Sequence, residues 1–302
     1  MAGDPADDVT AAGFTLPAVP AWFRFATGRA VHVGAVEPGG RFFDLGPLDP
    51  HALLQQGGLM AEDLAVRIAA AAEMAPPARV LPPLPHPGKI LCLAKNYVAH
   101  AREFGTEAPS EPIFFAKLPD TLIGHGDEVV IPHWLETRVD HEAELALILG
   151  FADPERRGRK DLDEAEAPSC VAGYTPLNDV TARKLQGQDR EHKYPWLRSK
   201  SIDTFCPFGP FVVPADAIDA GDLAVTMRVN GEVRQQARTG AMVFSIAQAL
   251  AAMSRVTTLR PGDLVAMGTP EGVSAVHDGD TMEVEVEKLG VLRNPVRKAA
   301  PR

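Results

Sequence analysis

At the centre of the chain stands the segment Val139-Asp140-His141-Glu142-Ala143-Glu144-Leu145-Ala146-Leu147-Ile148-Leu149-Gly150. Its run from Leu145 to Leu149 is apolar at every position, which is typical of a strand covered on both faces. Residues two apart on a strand share a face, so Glu142 and Glu144 are expected to lie side by side. Two like charges about 6 Å apart repel by roughly 3 kcal/mol at an effective dielectric constant of about 20. Such a pair persists when one carboxylate is protonated or a cation lies between them, so we predict a metal site; the alternative is an edge strand that exposes both acids.

The composition of the whole chain argues against several classes of protein. With 302 residues, 45% of them hydrophobic, the chain can bury a substantial core. The formal net charge of −10 argues against binding to nucleic acid or to anionic membranes, which need a basic surface. The apolar stretches are too short for a membrane span, and the acidic start is unlike a secretory signal. The widely spaced Cys92, Cys170 and Cys206 fit buried thiols in a reducing cytosol, so we expect a cytoplasmic protein.

Composition along the chain predicts a small N-terminal module with its linker over residues 1–87 and a catalytic domain over residues 88–302. Residues 1 to about 20 are expected to form a loose leader. A hairpin is expected around Gly28, and Met60 to Met74 form an alanine-rich helix candidate. Six of the twelve residues from 76 to 87 are prolines, which predicts a stiff linker.

Beyond residue 88, short β-like runs are separated by turn signals such as Asn230-Gly231. The expected strands are 89–93, 128–131, 141–149, 211–213, 224–229, 263–267 and 281–286. Helices are fewer, and we expect them at about 96–104, 179–187 and 244–255. Many short strands with few short helices predict a mixed, mostly β core of the α+β class.

Asp179 is a third candidate metal ligand. Together with Glu142 and Glu144 it would complete an all-oxygen set of three carboxylates, which suits Mg²⁺ or Mn²⁺ and disfavours zinc. The alternative is that Asn178 or Asp179 caps a helix that begins immediately afterwards.

Three further positions could take part in chemistry. In a helix His100 and Glu103 share a face, so the carboxylate could orient the imidazole as a general base for water; alternatively they are an exposed pair without a role. Lys200 has apolar neighbours, so its charge would have a strong electrostatic effect if the side chain points inward. The alternative is a solvated surface charge, which is the usual state of a lone lysine. Thr269 lies in a glycine-containing loop after an apolar strand, where its hydroxyl and backbone amides could bind a carboxylate.

Taken in order, five segments closely resemble the fumarylacetoacetate hydrolase family. They are Asn96-Tyr97-x-x-His100-x-x-Glu103, Glu142-x-Glu144, Asn178-Asp179-Val180-Thr181-Ala182-Arg183, Lys200-Ser201-x-Asp203-Thr204-Phe205 and Gly268-Thr269-Pro270. The resemblance spans about residues 89–295. It implies a mixed β-roll core with a metal-dependent site, usually in a homodimer.

The resemblance also implies roles for individual residues. Glu142, Glu144 and Asp179 would bind Mg²⁺ or Mn²⁺, and His100 with Glu103 would form a catalytic dyad on a lid over the substrate. The pocket for the substrate and the oxyanion would be lined by Arg183, Gln186 and Lys200, with Thr269 against the substrate carboxylate.

Two departures from the family pattern narrow these expectations. Vertebrate-type hydrolases have a fourth acidic ligand in the region of Leu93, and this chain has none there. Without this fourth acid, the chain resembles the smaller acylpyruvase, decarboxylase and isomerase branch of the family. Lys184 stands where the family commonly has aspartate, so ion pairing near Arg183 is expected to differ.

Three functions follow from these residues. The first is metal-dependent hydrolysis of a C–C bond in a 2,4-dioxo acid, with Lys200 and Gln186 stabilising the oxyanion. The second keeps the site but decarboxylates oxaloacetate or 5-oxopent-3-ene-1,2,5-tricarboxylate, or isomerises 2-hydroxyhepta-2,4-diene-1,7-dioate. The third is a binding module that captures a small carboxylate through the loop at Thr269. In each case the expected partner is a small carboxylic acid, and for the enzymes a 2-oxo or 2,4-dioxo acid.

Overall fold

The protein is described by a computed structural model over residues 10–11, 13–103 and 105–301, and most of its elements are short strands. The first strands are β1 (Thr10–Ala11), β2 (Phe14–Thr15), β3 (Ala21–Thr27), β4 (Ala30–Val36), β5 (Phe42–Gly46), β6 (Ala72–Met74) and β7 (Val80–Leu81). The later strands are β8 (Ile90–Ala94), β9 (Ile113–Lys117), β10 (Leu122–Ile123), β11 (Val129–Ile131), β12 (Val139–Asp140), β13 (Ala143–Leu149), β14 (Val171–Asn178), β15 (Thr181–Ala182), β16 (Cys206–Pro207), β17 (Val213–Pro214), β18 (Ala224–Val229), β19 (Glu232–Arg238), β20 (Leu264–Ala266), β21 (Thr281–Val286) and β22 (Gly290–Lys298). The α-helices are α1 (Pro50–Gln55), α2 (Ala61–Ala70), α3 (Val98–Glu103), α4 (Arg183–Glu191), α5 (Leu197–Lys200) and α6 (Ile246–Val256).

The central sheet has the strand order β17-β14-β13-β20-β8-β9, and β13 lies in its interior. Strand β13 is antiparallel to both neighbours, and all of its residues are buried, as its apolar run predicted. Because successive side chains alternate between faces, Leu145 and Leu147 belong to one hydrophobic cluster and Ala146 and Ile148 to another. The alternative of an exposed edge strand at Glu142 and Glu144 is therefore wrong.

Both faces of the central sheet are covered by other layers. Val225 and Val284, from the sheet β11-β22-β21-β18-β19, share a hydrophobic cluster with Leu145. On the other face, Trp22 of β3 and Leu64 of α2 share a cluster with Ile148. Burial of each such side chain contributes about 1.5–3 kcal/mol. The predicted mixed, mostly β fold with few short helices is confirmed.

The N-terminal sheet has the order β6-β5-β4-β3-β7, and the predicted hairpin is its β3–β4 pair. The helix expected from Met60 to Met74 is too long, because α2 ends at Ala70 and residues 72–74 pair with β5 instead. Pairing with the edge of this sheet outweighs the high helix propensity of Ala71-Ala72-Glu73-Met74. Within the proline-rich linker, Val80–Leu81 also pairs with β3, at the opposite edge of the sheet.

The loose leader expected over residues 1 to about 20 is contradicted from Phe14 onward. Its residues 1–9 and 12 lie outside the described part of the chain, but Phe14 and Leu16 are buried in the core. The ring of Phe14 contacts that of Phe211 edge-on at 5.8 Å between centroids. Farther along, Trp22 and Val212 exchange two backbone hydrogen bonds of 3.0 and 2.9 Å. The division of the chain at residue 87 stays a prediction.

Helix α4 begins at Arg183 rather than near Asp179. Thr181–Ala182 form strand β15, which pairs with β12, and Ala182 is the residue before the helix. The alternative that Asn178 or Asp179 caps this helix is therefore wrong. Among the described residues, no helix has the length and apolar character needed to cross a membrane.

Candidate active site

Three acidic side chains converge at one end of β13. Glu144 lies on β13, Glu142 just before it, and Asp179 just after the paired strand β14. The segments are joined by hydrogen bonds of 2.9 Å from Asp179 N to Glu142 O and from Glu142 N to the Asn178 side-chain oxygen. All three acids are buried, and one carboxylate oxygen from each lies within 4.8 Å of the others.

Two buried lysines neutralise part of this cluster. Lys200 Nζ donates to Glu142 Oε2 at 2.7 Å and to Asp179 Oδ2 at 2.6 Å. Lys117 Nζ, at the end of β9, donates to Asp179 Oδ1 at 2.6 Å. Burial would raise the pKa of Glu142, but Lys200 and Arg183 hold it below its usual value. Burial would likewise lower the pKa of Lys200, yet Asp179 and Glu142 raise it.

Glu144 is in a different electrostatic environment. Burial raises its pKa well above the usual value, and the charges of Asp179 and Glu142 raise it further. Its hydrogen bond comes from a backbone amide, Gly268 N, at 2.7 Å. Gly268 has φ +91°, and a Cβ there would approach the Cβ of Asn96 to 2.8 Å, so the loop needs glycine to present this amide.

This donor set fits a divalent cation. Within the described residues the cluster consists of carboxylates alone, which is the oxygen-rich chemistry preferred by Mg²⁺ and Mn²⁺. The two positive charges of such a cation would offset the repulsion by which Asp179 and Glu142 raise the pKa of Glu144. Three protein ligands would leave room on such a cation for water or substrate.

The dyad lies over the same cluster. His100 on α3 is buried, and its Nδ1 lies 3.2 Å from Glu103 Oε2. Burial lowers the pKa of His100, although the charge of Glu142 acts in the opposite direction. The lowered pKa favours a neutral imidazole at neutral pH. Glu103 Oε1 also accepts a hydrogen bond from Gly272 N at 3.3 Å, so α3 is joined to the loop that follows Gly268.

Arg183 connects the acid cluster to α4. Its Nε donates to Asp140 Oδ2 at 2.7 Å, and its Nη2 donates to Glu142 Oε1 at 2.5 Å. The remaining terminal nitrogen, Nη1, donates to Gln186 Oε1 at 2.7 Å. The guanidinium is thus fixed by three side chains, and Gln186 keeps its NH₂ group as a donor.

The hydroxyl of Thr269 is already engaged. It donates to Ala143 O at 2.9 Å and accepts from Gln235 Nε2 at 2.8 Å. A hydroxyl has one proton, so a carboxylate ligand at this position would have to meet a backbone amide unless the bond to Ala143 broke. Gln235 also donates to Pro270 O at 2.7 Å and accepts from His141 Nδ1 at 2.9 Å, so a buried network positions the loop.

One cavity of about 200 Å³ joins most of the predicted site. Its lining includes His100, Glu142, Glu144, Arg183, Gln186, Lys200 and Thr269. Asp179 lies against the two lysines, and Glu103 lies beside His100, so the structure brings all nine predicted residues together. Leu93 also lines the cavity, at the position where vertebrate-type hydrolases are expected to have another acid. The roles of these residues stay predictions.

Several residues of the site were not predicted from the sequence. Lys117 and Asp140 pair with predicted residues, Gln235 positions the Thr269 loop, and Arg190 lines the cavity. A signal existed only for Arg190, which lies seven residues after Arg183 and so on the same helix face. The predicted helix ended at residue 187 and left it out.

Comparisons with known proteins find one matching family and several similar sequences and structures. Residues 89–297 match the family described as fumarylacetoacetate (FAA) hydrolase C-terminal. The human protein named oxaloacetate tautomerase FAHD2A, mitochondrial, is 36% identical over 274 residues, covering 85% of this chain and 84% of that protein. A fumarylacetoacetate hydrolase from Exiguobacterium antarcticum superposes with a TM-score of 0.78 at 35% identity, over 93% of this chain and 100% of that one. The fumarylpyruvate hydrolase from Pseudomonas aeruginosa, solved with Mn²⁺ and pyruvate, superposes with a TM-score of 0.65 at 33% identity. This match covers 73% of this chain and 92% of that one.

Proposed function

The chain belongs to the fumarylacetoacetate hydrolase family, and on that premise we propose that it is a divalent-metal-dependent hydrolase that cleaves a C–C bond in 2,4-dioxo acids. One observation carries the proposal: three buried carboxylates converge within 4.8 Å next to a cavity that His100, paired with Glu103, and the buried Lys200 also line. The family likeness and the hydrolases among the similar structures support the same reaction class.

The proposed cofactor is Mg²⁺ or Mn²⁺, held by Glu142, Glu144 and Asp179. Bound there, the cation would supply Lewis-acid polarisation of a 2-oxo acid. The Pseudomonas aeruginosa structure with Mn²⁺ and pyruvate supports both kinds of ligand. Isothermal titration of each metal into the protein and into Glu144→Gln would measure the affinities, and equal affinities in the two proteins would contradict this ligand set.

His100 is proposed to take the proton from the attacking water. Because Glu103 lies at Nδ1, the neutral imidazole keeps its proton there and accepts a new one on Nε2. The water oxygen would attack the carbonyl carbon C4. Lys200 Nζ and the NH₂ group of Gln186 are the proposed donors to the oxyanion, because both line the cavity.

The proposed reaction balances with water alone. The C3–C4 bond breaks, the water oxygen stays on C4 as part of a new carboxylate, and C3 takes up a proton to give pyruvate. Acetylpyruvate incubated with Mg²⁺ in ¹⁸O-labelled water should give equal amounts of pyruvate and labelled acetate. Loss of the diketone absorbance without pyruvate would contradict hydrolysis.

A second candidate is keto–enol tautomerisation of oxaloacetate, for which the likeness to the human tautomerase gives the support. Such a reaction needs His100 to move a proton between oxygen and carbon, but it needs no attacking water. Decay of the enol absorbance without CO₂ or pyruvate would identify it, and CO₂ release would identify the decarboxylase expected from the sequence. Movement of a diene absorbance without cleavage would identify an isomerase.

The homodimer expected from the resemblance is also a proposal. Ile113, Tyr194 and Leu197 are exposed apolar side chains that line a groove beside the cavity, and a second copy of the chain would cover them. Light scattering should give twice the chain mass, and Leu197→Glu should lower it toward that of one chain. A monomeric wild-type protein would exclude this assembly.

A further inference from the structure

Helix α4 runs from the acid cluster to the mouth of the cavity. Arg183, Gln186, Gly187 and Arg190 all line the cavity, and their spacing places them on one face of the helix. At a rise of 1.5 Å per residue, Arg190 lies about 10 Å farther along the axis than Arg183. The same helix therefore presents one guanidinium at each end of the cavity.

The two guanidiniums differ in their partners. Arg183 is bound by Asp140 and Glu142, whereas Arg190 is exposed and has no ion-pair partner among the residues that the structure describes. The adjacent acid, Asp189, is buried and accepts instead from Arg198 Nε at 2.5 Å. The charge of Arg190 at the cavity is therefore left for a ligand.

The cavity wall between these ends is largely apolar. The rings of Phe115 and Trp196 meet edge-on with centroids 5.7 Å apart, and both line the cavity together with Leu93. Lys200 Nζ lies 4.9 Å from the Phe115 ring centroid, so this wall begins directly beside the acid cluster. A planar carbon chain suits such a wall, with charged groups required only at its two ends.

We propose that Arg190 is a specificity-determining residue that binds a second carboxylate at the far end of the substrate, so that the enzyme prefers 2-oxo diacids to monoacids. This inference rests on the proposed function, in which the cation held by Glu142, Glu144 and Asp179 would bind the 2-oxo end of the substrate. Lys95 lines the same cavity without an ion-pair partner among the described residues and adds positive charge there.

The test uses two 2,4-dioxo acids of equal length that differ only in ending with a carboxylate or a methyl group. With metal-loaded wild-type protein, kcat/KM should be at least about tenfold higher for the diacid, the equivalent of about 1.4 kcal/mol. Arg190→Gln should remove this preference by lowering kcat/KM for the diacid alone. Arg190→Lys should retain part of it.

Lys184→Gln is the matched control, because it removes the same charge from an exposed position of α4 that does not line the cavity. It should leave both kcat/KM values unchanged. If Arg190→Gln keeps the diacid preference, or if the wild-type protein has none, the second-carboxylate site is refuted while the proposed hydrolysis stands.

A binding measurement separates the inference from the proposed function. Isothermal titration of 2-oxoadipate and 2-oxohexanoate into metal-loaded protein should show tighter binding of the diacid, and Arg190→Gln should abolish the difference. If neither dioxo acid is cleaved but this difference is found, the reaction is wrong and the second-carboxylate site stands. Equal affinity of the two acids for the wild-type protein would overturn the site.

Discussion

The inner end of the cavity and its mouth both contain cationic side chains, but the partners of these side chains differ. At the inner end Glu142 and Asp179 are buried, and each contacts two cationic side chains. Arg190 at the mouth has no carboxylate partner within the described parts of the chain, and neither has Lys95, which also lines the cavity. Charges at the inner end are thus positioned before any ligand arrives, whereas those at the mouth depend on the ligand for a partner.

This difference separates chemistry from selectivity. A change at the inner end leaves a buried charge without compensation, so one substitution there is expected to affect the whole fold. A change at the mouth affects a solvated charge, whose loss matters only when the ligand carries the opposite charge. One fold can therefore keep its reactive centre while its substrate changes.

The largest expected effect tests the inner end through stability. Lys200→Met should lower the free energy of unfolding of the metal-free protein by about 3–5 kcal/mol, because Glu142 and Asp179 lose the ammonium between them. Urea denaturation in the presence of a chelator measures this loss. Arg190→Met, at the mouth, should change the same free energy by less than about 0.5 kcal/mol. Similar losses of unfolding free energy in the two variants would contradict the difference between the inner end and the mouth.

The next effect separates rate from stability on the helix that covers the inner end. His100→Ala should lower kcat by about 10²–10³ through loss of the proposed base, with a smaller loss of unfolding free energy than Lys200→Met and little change in metal affinity. Arg102→Ala, on an exposed position of the same helix, is the control and should retain the wild-type kcat. An unchanged kcat in His100→Ala would contradict the proposed role of His100 as general base.

A group outside both regions determines part of the acid stability. Burial lowers the pKa of His125 to about 4, and its Nδ1 accepts a hydrogen bond from Arg293 N at 3.2 Å. The unfolded chain, with a histidine pKa of about 6.5, binds this proton more readily. The free energy of unfolding should therefore fall by about 2.6 kcal/mol as the pH falls from 6.5 to 4.

His125→Gln keeps an acceptor that does not titrate, so urea midpoints measured across this range should depend less on pH in the variant. The same slope in both proteins would assign the acid sensitivity to other groups.

Local patterns in the sequence were sufficient for the centre of the fold and for most of the site. The apolar run after Glu144 predicted a buried interior strand, and the spacing of His100 and Glu103 predicted a shared helix face. Both predictions depend on neighbours within a few residues. Periodicity carries that kind of information.

Contacts that depend on sheet order could not be predicted in this way. Lys117 meets Asp179 across 62 positions although three strands separate β9 from β14 in the central sheet, and no local pattern specifies this arrangement. The start of α4 was also missed, because pairing of residues 181–182 with β12 prevents a helix from beginning at Asp179. Both cases show tertiary pairing that overrides local propensity.

The smallest expected effect distinguishes the two ends of the cavity by ionic strength. The charges of Glu142 and Asp179 are paired within the protein, but Arg190 is exposed, so added salt should screen only its attraction for a distal carboxylate. Raising the salt concentration from about 0.05 M to about 0.5 M should lower kcat/KM for a 2-oxo diacid by about two- to threefold, leaving that for the matched monoacid unchanged. Arg190→Gln should lose this salt dependence. Equal salt dependence for both acids would mean that the inner end, rather than Arg190, attracts the substrate.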